Sequence, residues 1–290
     1  MVNGTGGSPG RRGMGIAFSS VETLAVAAAV TALLSAATAQ EHTGSIPRAA
    51  ARSAGESTAE CLPREAVSGI VRAVTDGRTF TLTDGREIRL PAIEIPAPEA
   101  TDALAALIQG QEVVLSPLAP ATDRYGRHNM RAFIAGRATP QPVEAALVVQ
   151  GFALAAPRTD DPGCMAVLLA AERIARTGRL GIWQDANAER FQAERPADVL
   201  AAQGRFALVE GKVVSVRESG GTLYVNFGRR WTEDFTVTIL KRNERKFAAA
   251  GLEPRRLEGR RVRVRGFIEE RGGPWIEATL PQQIEIVEDR

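Results

Sequence analysis

Residues Val67–Ile93, with the sequence VSGIVRAVTDGRTFTLTDGREIRLPAI, carry the main evidence for the fold of the first half of this chain. It contains three runs with strand-like spacing: Val67–Val74, Thr79–Leu82 and Glu87–Ile93. The runs are joined at Asp76-Gly77 and Asp84-Gly85, dipeptides that accept the positive φ angles of tight turns. The stretch therefore predicts a meander of three antiparallel strands.

Helical and strand-like patterns alternate after this meander. They predict a helix at Pro98–Ile108, strands at Glu112–Leu115 and Met130–Ala135, and helices at Val143–Gln150 and Met165–Thr177. Five strands with a helix after the third is the order of an OB-fold barrel. The predicted fold class is mainly β with α, of the α+β type.

The second half of the chain repeats this plan. Predicted strands lie at Ala207–Arg217, Leu223–Phe227, Phe235–Ile239, Arg261–Ile268 and Trp275–Ala278, with a helix at Lys241–Ala250. This order predicts a second, smaller OB-like β-barrel. The regular spacing of apolar residues is interrupted at 184–204. This interruption predicts two domains, 61–183 and 205–290, joined by a linker at 184–204.

Five blocks in the first half resemble the staphylococcal nuclease (thermonuclease) family over about Val67–Trp183. The blocks are Asp76-Gly77-Arg78-Thr79, Arg89-Leu90-Pro91-Ala92-Ile93-Glu94-Ile95-Pro96, Asp123-Arg124-Tyr125-Gly126-Arg127, Gly151-Phe152-Ala153 and Gly178-Arg179-Leu180-Gly181-Ile182-Trp183. Each block alone is weak, but all five occur in the family's order.

The resemblance implies hydrolysis of phosphodiesters. In that family two arginines neutralise the phosphate, carboxylates hold Ca²⁺ and a glutamate assists the attacking water. By resemblance, Arg89 and Arg127 occupy the two phosphate-contacting positions. Fixed cations suit this reaction because negative charge builds up on the phosphate in the transition state.

The carboxylates of the family pattern are mostly replaced. Arg78 stands at the metal-ligand Asp of the turn, and Ala97 stands where the family has its catalytic Glu. Glu94, with Asp76 nearby, is the remaining candidate to hold Ca²⁺ or another divalent cation. If residues 95–99 contain a two-residue insertion, Glu99 occupies the position of the base. Loss of a general base costs about 10²–10⁴-fold in rate.

Three arginines remain for the same cleft. We expect Arg78, Arg89 and Arg127 to form an anion site without metal, because guanidiniums suit phosphate. The competing interpretation places Arg78 on a mobile, solvent-exposed turn, paired with Asp76 or Glu94. Tyr125 either contacts a nucleotide or packs against the barrel.

The second half carries aromatic and basic residues on neighbouring strands. Tyr224, Phe227, Trp231, Arg229 and Arg230 form a candidate ligand face, since OB folds stack bases on aromatic rings beside cations. The alternative is that the rings fill the barrel. The alternating Arg261, Arg263 and Arg265 are interpreted as a solvated strand face.

Charge is unevenly divided along the chain. The whole chain has a formal net charge of +2, but residues 40–204 carry −3 and residues 205–290 carry +4. A content of 44% hydrophobic and 24% charged residues excludes disordered, collagenous and polytopic membrane classes. The whole molecule is therefore not a polycation, and the basic surface belongs to the second half.

The first 39 residues have the layout of a secretory signal peptide. Arg11 and Arg12 precede the apolar stretch Leu24–Leu34, and Ala37-Thr38-Ala39 predicts cleavage near Ala39/Gln40. A retained anchor is the alternative. Residues 40–60 are expected to be a flexible leader, and the mature protein is expected to be periplasmic or secreted, with no transmembrane domain.

Export gives the two cysteines, Cys61 and Cys164, a role. An oxidising compartment favours a Cys61–Cys164 disulfide, which would tie the start of the first strand to the loop before a late helix. Two cysteines and two histidines exclude a zinc site of the usual kind.

The sequence therefore predicts an exported thermonuclease-like protein that binds nucleic acid (DNA or RNA) or another phosphate polyanion, with hydrolysis weak or lost. Two alternatives remain open. One is an active metal-dependent phosphodiesterase that uses Glu94 and Glu99 with Arg89 and Arg127. The other is a non-catalytic scaffold or protein-interaction module of the cell envelope.

Overall fold

The computed structural model describes residues 61–137, 139–185, 190–230 and 232–287. The predicted signal peptide, the leader at 40–60 and Trp231 lie outside the described residues. The described residues belong to one compact unit. Among the described residues, no helix is long and apolar enough to cross a membrane.

A closed five-stranded barrel forms the first part of this unit. Its elements are β1 (Val67–Asp76), β2 (Thr79–Leu82), β3 (Glu87–Arg89), β4 (Ile93–Glu94), α1 (Ala100–Ile108), β5 (Glu112–Thr122), β6 (His128–Ile134), β7 (Gln141–Pro142), α2 (Val143–Val149), β8 (Leu154–Ala155) and α3 (Pro162–Thr177), followed by a 3-10 turn at Gly181–Gln184. The order β3-β2-β1-β5-β6 closes through pairing of β3 with β6. The predicted OB-like barrel with helices is confirmed.

The two Asp-Gly turns of the meander differ in their need for glycine. Gly85 has a φ of 91°, a conformation that residues with a Cβ rarely adopt. Gly77 lies instead where a Cβ would come within 2.8 Å of the Cβ of Ala100. The turn that carries Arg78 therefore packs closely against the start of α1.

The predicted third strand, Glu87–Ile93, breaks after Arg89. Pro91 has no N–H to donate to a strand ladder, and the chain leaves the barrel there. Ile93 and Glu94 then pair with Ala155 and Leu154 in a separate two-stranded sheet. This pairing places Glu94 next to the loop between β8 and α3.

Cys61 and Cys164 form the predicted disulfide, with their Cα atoms 4.4 Å apart. Cys164 differs from the prediction in its local structure, since it lies in the first turn of α3 and not in the loop before it. Its N–H donates to Asp161 Oδ1 over 3.1 Å. The bond therefore ties the segment before β1 to the capped start of α3.

The second part of the unit contains two further sheets. Its elements are β9 (Arg190–Gln192), α4 (Pro196–Leu200), β10 (Phe206–Lys212), β11 (Ser215–Ser219), β12 (Thr222–Asn226), β13 (Thr236–Leu240), α5 (Lys241–Ala249), β14 (Arg261–Phe267), β15 (Glu269–Arg271), β16 (Gly273–Glu277) and β17 (Ile284–Ile286), with 3-10 turns at Pro254–Leu257 and Pro281–Gln283. The sheet orders are β17-β14-β10-β9 and β11-β12-β13-β16-β15.

The predicted strands and helix occur in the predicted order along the chain, and β9, β15 and β17 are additional strands. The long first strand expected at Ala207–Arg217 is divided into β10 and β11, one in each sheet, and both sheets contribute to one apolar core. Within the predicted linker, Arg190 pairs with Leu208, so β9 is part of a sheet. The boundary between two domains stays a prediction.

A buried ion pair joins the two parts. Arg265 on β14 donates from Nη1 and Nη2 to the carboxylate of Glu172 on α3, over 2.8 and 2.9 Å. Both side chains are 1% exposed. Trp183 and Leu208 belong to an apolar cluster that also links the two parts. The predicted solvated arginine face is therefore wrong at Arg265, because α3 covers that side of β14.

Candidate functional site

One end of the first barrel brings together four arginines from separate segments. Arg78 lies in the turn between β1 and β2, Arg89 ends β3 and Arg127 immediately precedes β6. Thr79 pairs with Arg89, and Arg89 pairs in turn with Asn129. Arg158, from the loop after β8, completes the group. These four residues are called the arginine cluster below.

Arg78 is held in place by its own turn and by β4. Its N–H donates to Asp76 Oδ1 over 2.9 Å, and its Nη1 donates to the carbonyl oxygen of Ile93, also over 2.9 Å. The side chain is only 19% exposed. Arg78 therefore pairs with a carboxylate, as the competing interpretation expected, but it is not on a solvated turn.

Glu94 lies between two arginines. Its Oε1 is 2.7 Å from Arg78 Nη1, and it also forms an ion pair with Arg158. Only 13% of the Glu94 side chain is exposed. One carboxylate thus serves two guanidiniums, so it neutralises half of their combined charge.

Arg89 contacts Thr79 Oγ1 over 3.3 Å through its Nη1. Within the described ranges, no carboxylate lies at ion-pairing distance from Arg89. Burial lowers the pKa of Arg89, and repulsion from Arg78 and Arg127 lowers it further. Such a site favours binding of an anion, because the anion would reduce the repulsion among these three guanidiniums.

Arg127 is positioned by the turn that connects β5 and β6. Asp123 Oδ2 accepts from Arg127 Nε over 2.8 Å, while Asp123 Oδ1 accepts from the N–H groups of Tyr125 and Arg127. Tyr125 is 66% exposed, with the Cζ atoms of Arg124 and Arg127 at 4.8 and 5.1 Å from its ring centroid. The ring is at the surface and does not fill the barrel.

Arg158 is the residue that the sequence reasoning missed. Burial, together with repulsion from Arg78 and Arg89, lowers the pKa of Arg158 to about 10. It lies outside the five family-like blocks, in a loop without a distinctive pattern. Only pairing between β4 and β8 would have indicated its position, and neither two-residue strand has a recognisable periodicity.

The carboxylates at this end do not fit a divalent cation. Glu94 already contacts two guanidiniums, and Asp76 accepts the N–H of Arg78. A cation between them would face Arg78, with a repulsion of about 1–4 kcal/mol. Within the part of the chain that the structure describes, no three His, Cys, Asp or Glu side chains are grouped to hold a metal ion.

Glu99 is not brought into the arginine cluster. It is exposed and immediately precedes α1. In the described ranges, no hydrogen bond or ion pair joins it to Arg89 or Arg127. Its placement gives no support to a role as general base.

The candidate face in the second part is only partly available to a ligand. Phe227 is 5% exposed and packs 4.9 Å from the Phe235 ring, so it fills the core. Tyr224 lies edge-on to Trp275 at 5.9 Å. Arg229 is exposed, and Arg230 pairs with Glu233 over 2.8 Å. The expected role of Phe227 as a ligand contact is therefore wrong, because its ring points into the core.

The chain is similar to a known protein family over part of its length. Residues 92–185 match the family model described as staphylococcal nuclease homologue. The match includes Glu94, Tyr125, Arg127 and Arg158, and it begins after Arg78 and Arg89. No curated protein matches the chain.

Proposed function

We propose that this chain, which matches the staphylococcal nuclease homologue family over residues 92–185, is an exported phosphate-binding protein. Its ligand is nucleic acid or another phosphate polyanion, and its metal-dependent hydrolysis is weak or lost. The observation that carries the proposal is the composition of the arginine cluster. Four guanidiniums converge on a place where Glu94 is shared between two of them. The cluster keeps the phosphate-binding residue type, and the neighbouring carboxylates of Glu94 and Asp123 are both paired with arginines.

The fold holds these cations in position before a ligand arrives. Arg78 and Arg158 are fixed by Glu94, and Arg127 is fixed by Asp123. A preorganised guanidinium loses less side-chain freedom on binding, and charge-assisted bonds to phosphate are among the stronger hydrogen bonds in proteins. The cluster is therefore suited to bind phosphate without a metal bridge.

The active phosphodiesterase is the less supported alternative. It needs Glu99 as a base and Glu94 as a metal ligand, but Glu99 is exposed and Glu94 is already paired with two arginines. The structure offers no specific observation in favour of a scaffold role. Phosphate binding is therefore the function that we test first.

The test compares binding and cleavage with the same purified protein. Labelled single-stranded DNA, RNA and inorganic polyphosphate are incubated in EDTA and in Ca²⁺, Mg²⁺ or Mn²⁺. We expect salt-dependent binding in EDTA and no metal-dependent cleavage. R89A and R127A should each weaken binding by about tenfold or more, since charge-assisted bonds contribute about 1.5–3 kcal/mol.

Arg86 supplies a matched control. It follows Asp84-Gly85 just as Arg78 follows Asp76-Gly77, but it lies at the other end of β2 and pairs with Asp84. R86A should leave the affinity unchanged. Equal losses in R86A and R89A, or no binding at low salt, would overturn the proposal, and efficient cleavage would support the phosphodiesterase.

A further inference from the structure

Phe267 presents an exposed aromatic ring at the edge of the second part. It is the last residue of β14 and is 43% exposed. Phe206, its partner on β10, contacts the ring edge-on, with the two centroids 5.6 Å apart and the planes at 72°. Phe206 therefore fixes the orientation of Phe267 while leaving much of its surface accessible.

The ring lies directly beside the arginine cluster. The Cζ atom of Arg158 lies 4.9 Å from the centroid of Phe267, and the same guanidinium forms an ion pair with Glu94. Arg158 therefore contacts both the cluster in the first barrel and an aromatic ring of the second part. A ligand that binds the cluster has Phe267 within its immediate surroundings.

A cleft of about 290 Å³ beside this contact is lined by residues of both parts, including Glu94 and Phe267. Its apolar lining comes from Ile95, Pro96, Leu154, Phe206 and Phe267, and its charged lining comes from Glu94 and Arg205. The volume is at the small end of the range for ligand sites. It suits one flat group of a longer ligand better than a whole large molecule.

We propose that Phe267 stacks on an unpaired base of a single-stranded nucleic acid whose phosphates bind the arginine cluster. This inference rests on the proposed function and names its ligand. A single strand offers both chemical groups that the surface matches, a chain of phosphates and flat aromatic faces. Polyphosphate has no aromatic face, and the bases of a duplex are already stacked on one another.

The test separates stacking from phosphate binding. Affinity is measured in EDTA for a short single-stranded oligonucleotide, for an abasic strand of the same length and for a duplex. We expect the base-bearing strand to bind more tightly than the abasic strand. F267A should weaken binding of the base-bearing strand by about fivefold to a hundredfold and leave the abasic strand unaffected.

Two further variants distinguish the loss of the aromatic ring from a folding defect. F267L keeps the apolar bulk without a ring and should resemble F267A. F267W keeps a ring, should retain the affinity of the parent, and should show fluorescence quenching by the base-bearing strand beyond that of the parent protein. Thermal unfolding of each variant checks that it is folded.

The outcomes distinguish this inference from the proposed function. Equal affinity of the parent for base-bearing and abasic strands, or unchanged affinity in both F267A and F267L, would overturn the stacking role. Loss of binding in R89A would still support phosphate binding in that case. Failure of the parent to bind any of the strands would overturn both.

Discussion

Glu94 Oε1 lies 2.7 Å from Arg78 Nη1 and also contacts Arg158, so its carboxylate occupies a place between two guanidiniums that a phosphate oxygen would suit. The family resemblance assigns this residue to a metal ion. In the structure its partners are the guanidiniums of Arg78 and Arg158, so Glu94 neutralises arginines where the resemblance expects it to bind a metal ion. At the scale of the residue, Glu94 is best described as an internal anion that competes with an external one.

Replacing Glu94 by glutamine tests this competition. E94Q removes one negative charge from the cluster, and we expect tighter binding of polyphosphate and oligonucleotides by about fivefold to tenfold, equivalent to roughly 1 kcal/mol of Coulomb energy near a surface. The variant should also melt at a lower temperature without ligand, because two half-buried guanidiniums lose their partner. Fluorescence anisotropy and thermal unfolding measure the two effects.

Glu112 provides the control for E94Q. It is an exposed carboxylate at the start of β5, where it pairs with Ile70. E112Q makes the same change in net charge away from the cluster, so affinity should hardly change. Equal tightening in both variants would show that total charge matters and that the position of Glu94 does not.

At the scale of the element, two short strands organise the site. β4 and β8 contain two residues each, and their pairing fixes Glu94 next to the loop that carries Arg158. That loop leads into α3, whose first turn is tied to the segment before β1 by the disulfide. The covalent bond therefore supports the element that holds one side of the arginine cluster.

Removal of this disulfide should cost stability. The double change C61S with C164S opens a loop closed over a sequence separation of 103, and we expect the free energy of unfolding to fall by about 2–4 kcal/mol. Urea unfolding under oxidising conditions measures the difference. The parent protein unfolded with reductant should match the double variant, and identical stability of all three forms would contradict the prediction.

At the scale of the whole molecule, α3 joins the two parts. Glu172 on α3 accepts hydrogen bonds from Nη1 and Nη2 of Arg265, and it also accepts the N–H of Ala155 in β8 over 2.9 Å. The pair is fully buried, so neither charge has solvent to replace its partner. Through these contacts, β14 and its terminal residue Phe267 are held beside the first barrel.

Breaking the buried pair should therefore be costly. R265M leaves the buried Glu172 carboxylate with only its longer contact to Arg176, over 3.4 Å, and we expect a loss of about 3–5 kcal/mol in the free energy of unfolding. The double variant R265M with E172L should recover much of this loss, because neither charge then remains buried. Denaturant unfolding of the parent protein, R265M and the double variant measures these differences in the free energy of unfolding.

An exposed pair on the same part of the chain supplies the control. Arg271 and Glu269 are 2.8 Å apart, and each side chain is 48% exposed. R271M should change stability by no more than about 1 kcal/mol, as is usual for surface pairs. A loss in R265M as small as that in R271M would contradict the structural role of the buried pair.

Much of the candidate site could be predicted from local sequence. The family-like blocks indicated Arg78, Arg89, Arg127 and Glu94, and the structure brings these four together. Arg158 could not be predicted, since it precedes α3 in a loop whose sequence shows no periodicity. Glu99 was a candidate only through an assumed insertion, and the start of α1 leaves its side chain in solvent.

Local sequence specified most strands of the first barrel, the Asp-Gly turns of the meander and the disulfide. Strands with alternating apolar residues and Asp-Gly turns depend on residues that are close together in the sequence. Two cysteines allow only one intramolecular pairing. The packing of whole elements determines that Arg265 is buried, that Arg78 and Arg158 share Glu94, and that Phe267 lies beside Arg158. An alternating arginine has the same local pattern whether it faces water or a carboxylate 93 residues away, because the partner's position depends on how whole elements pack.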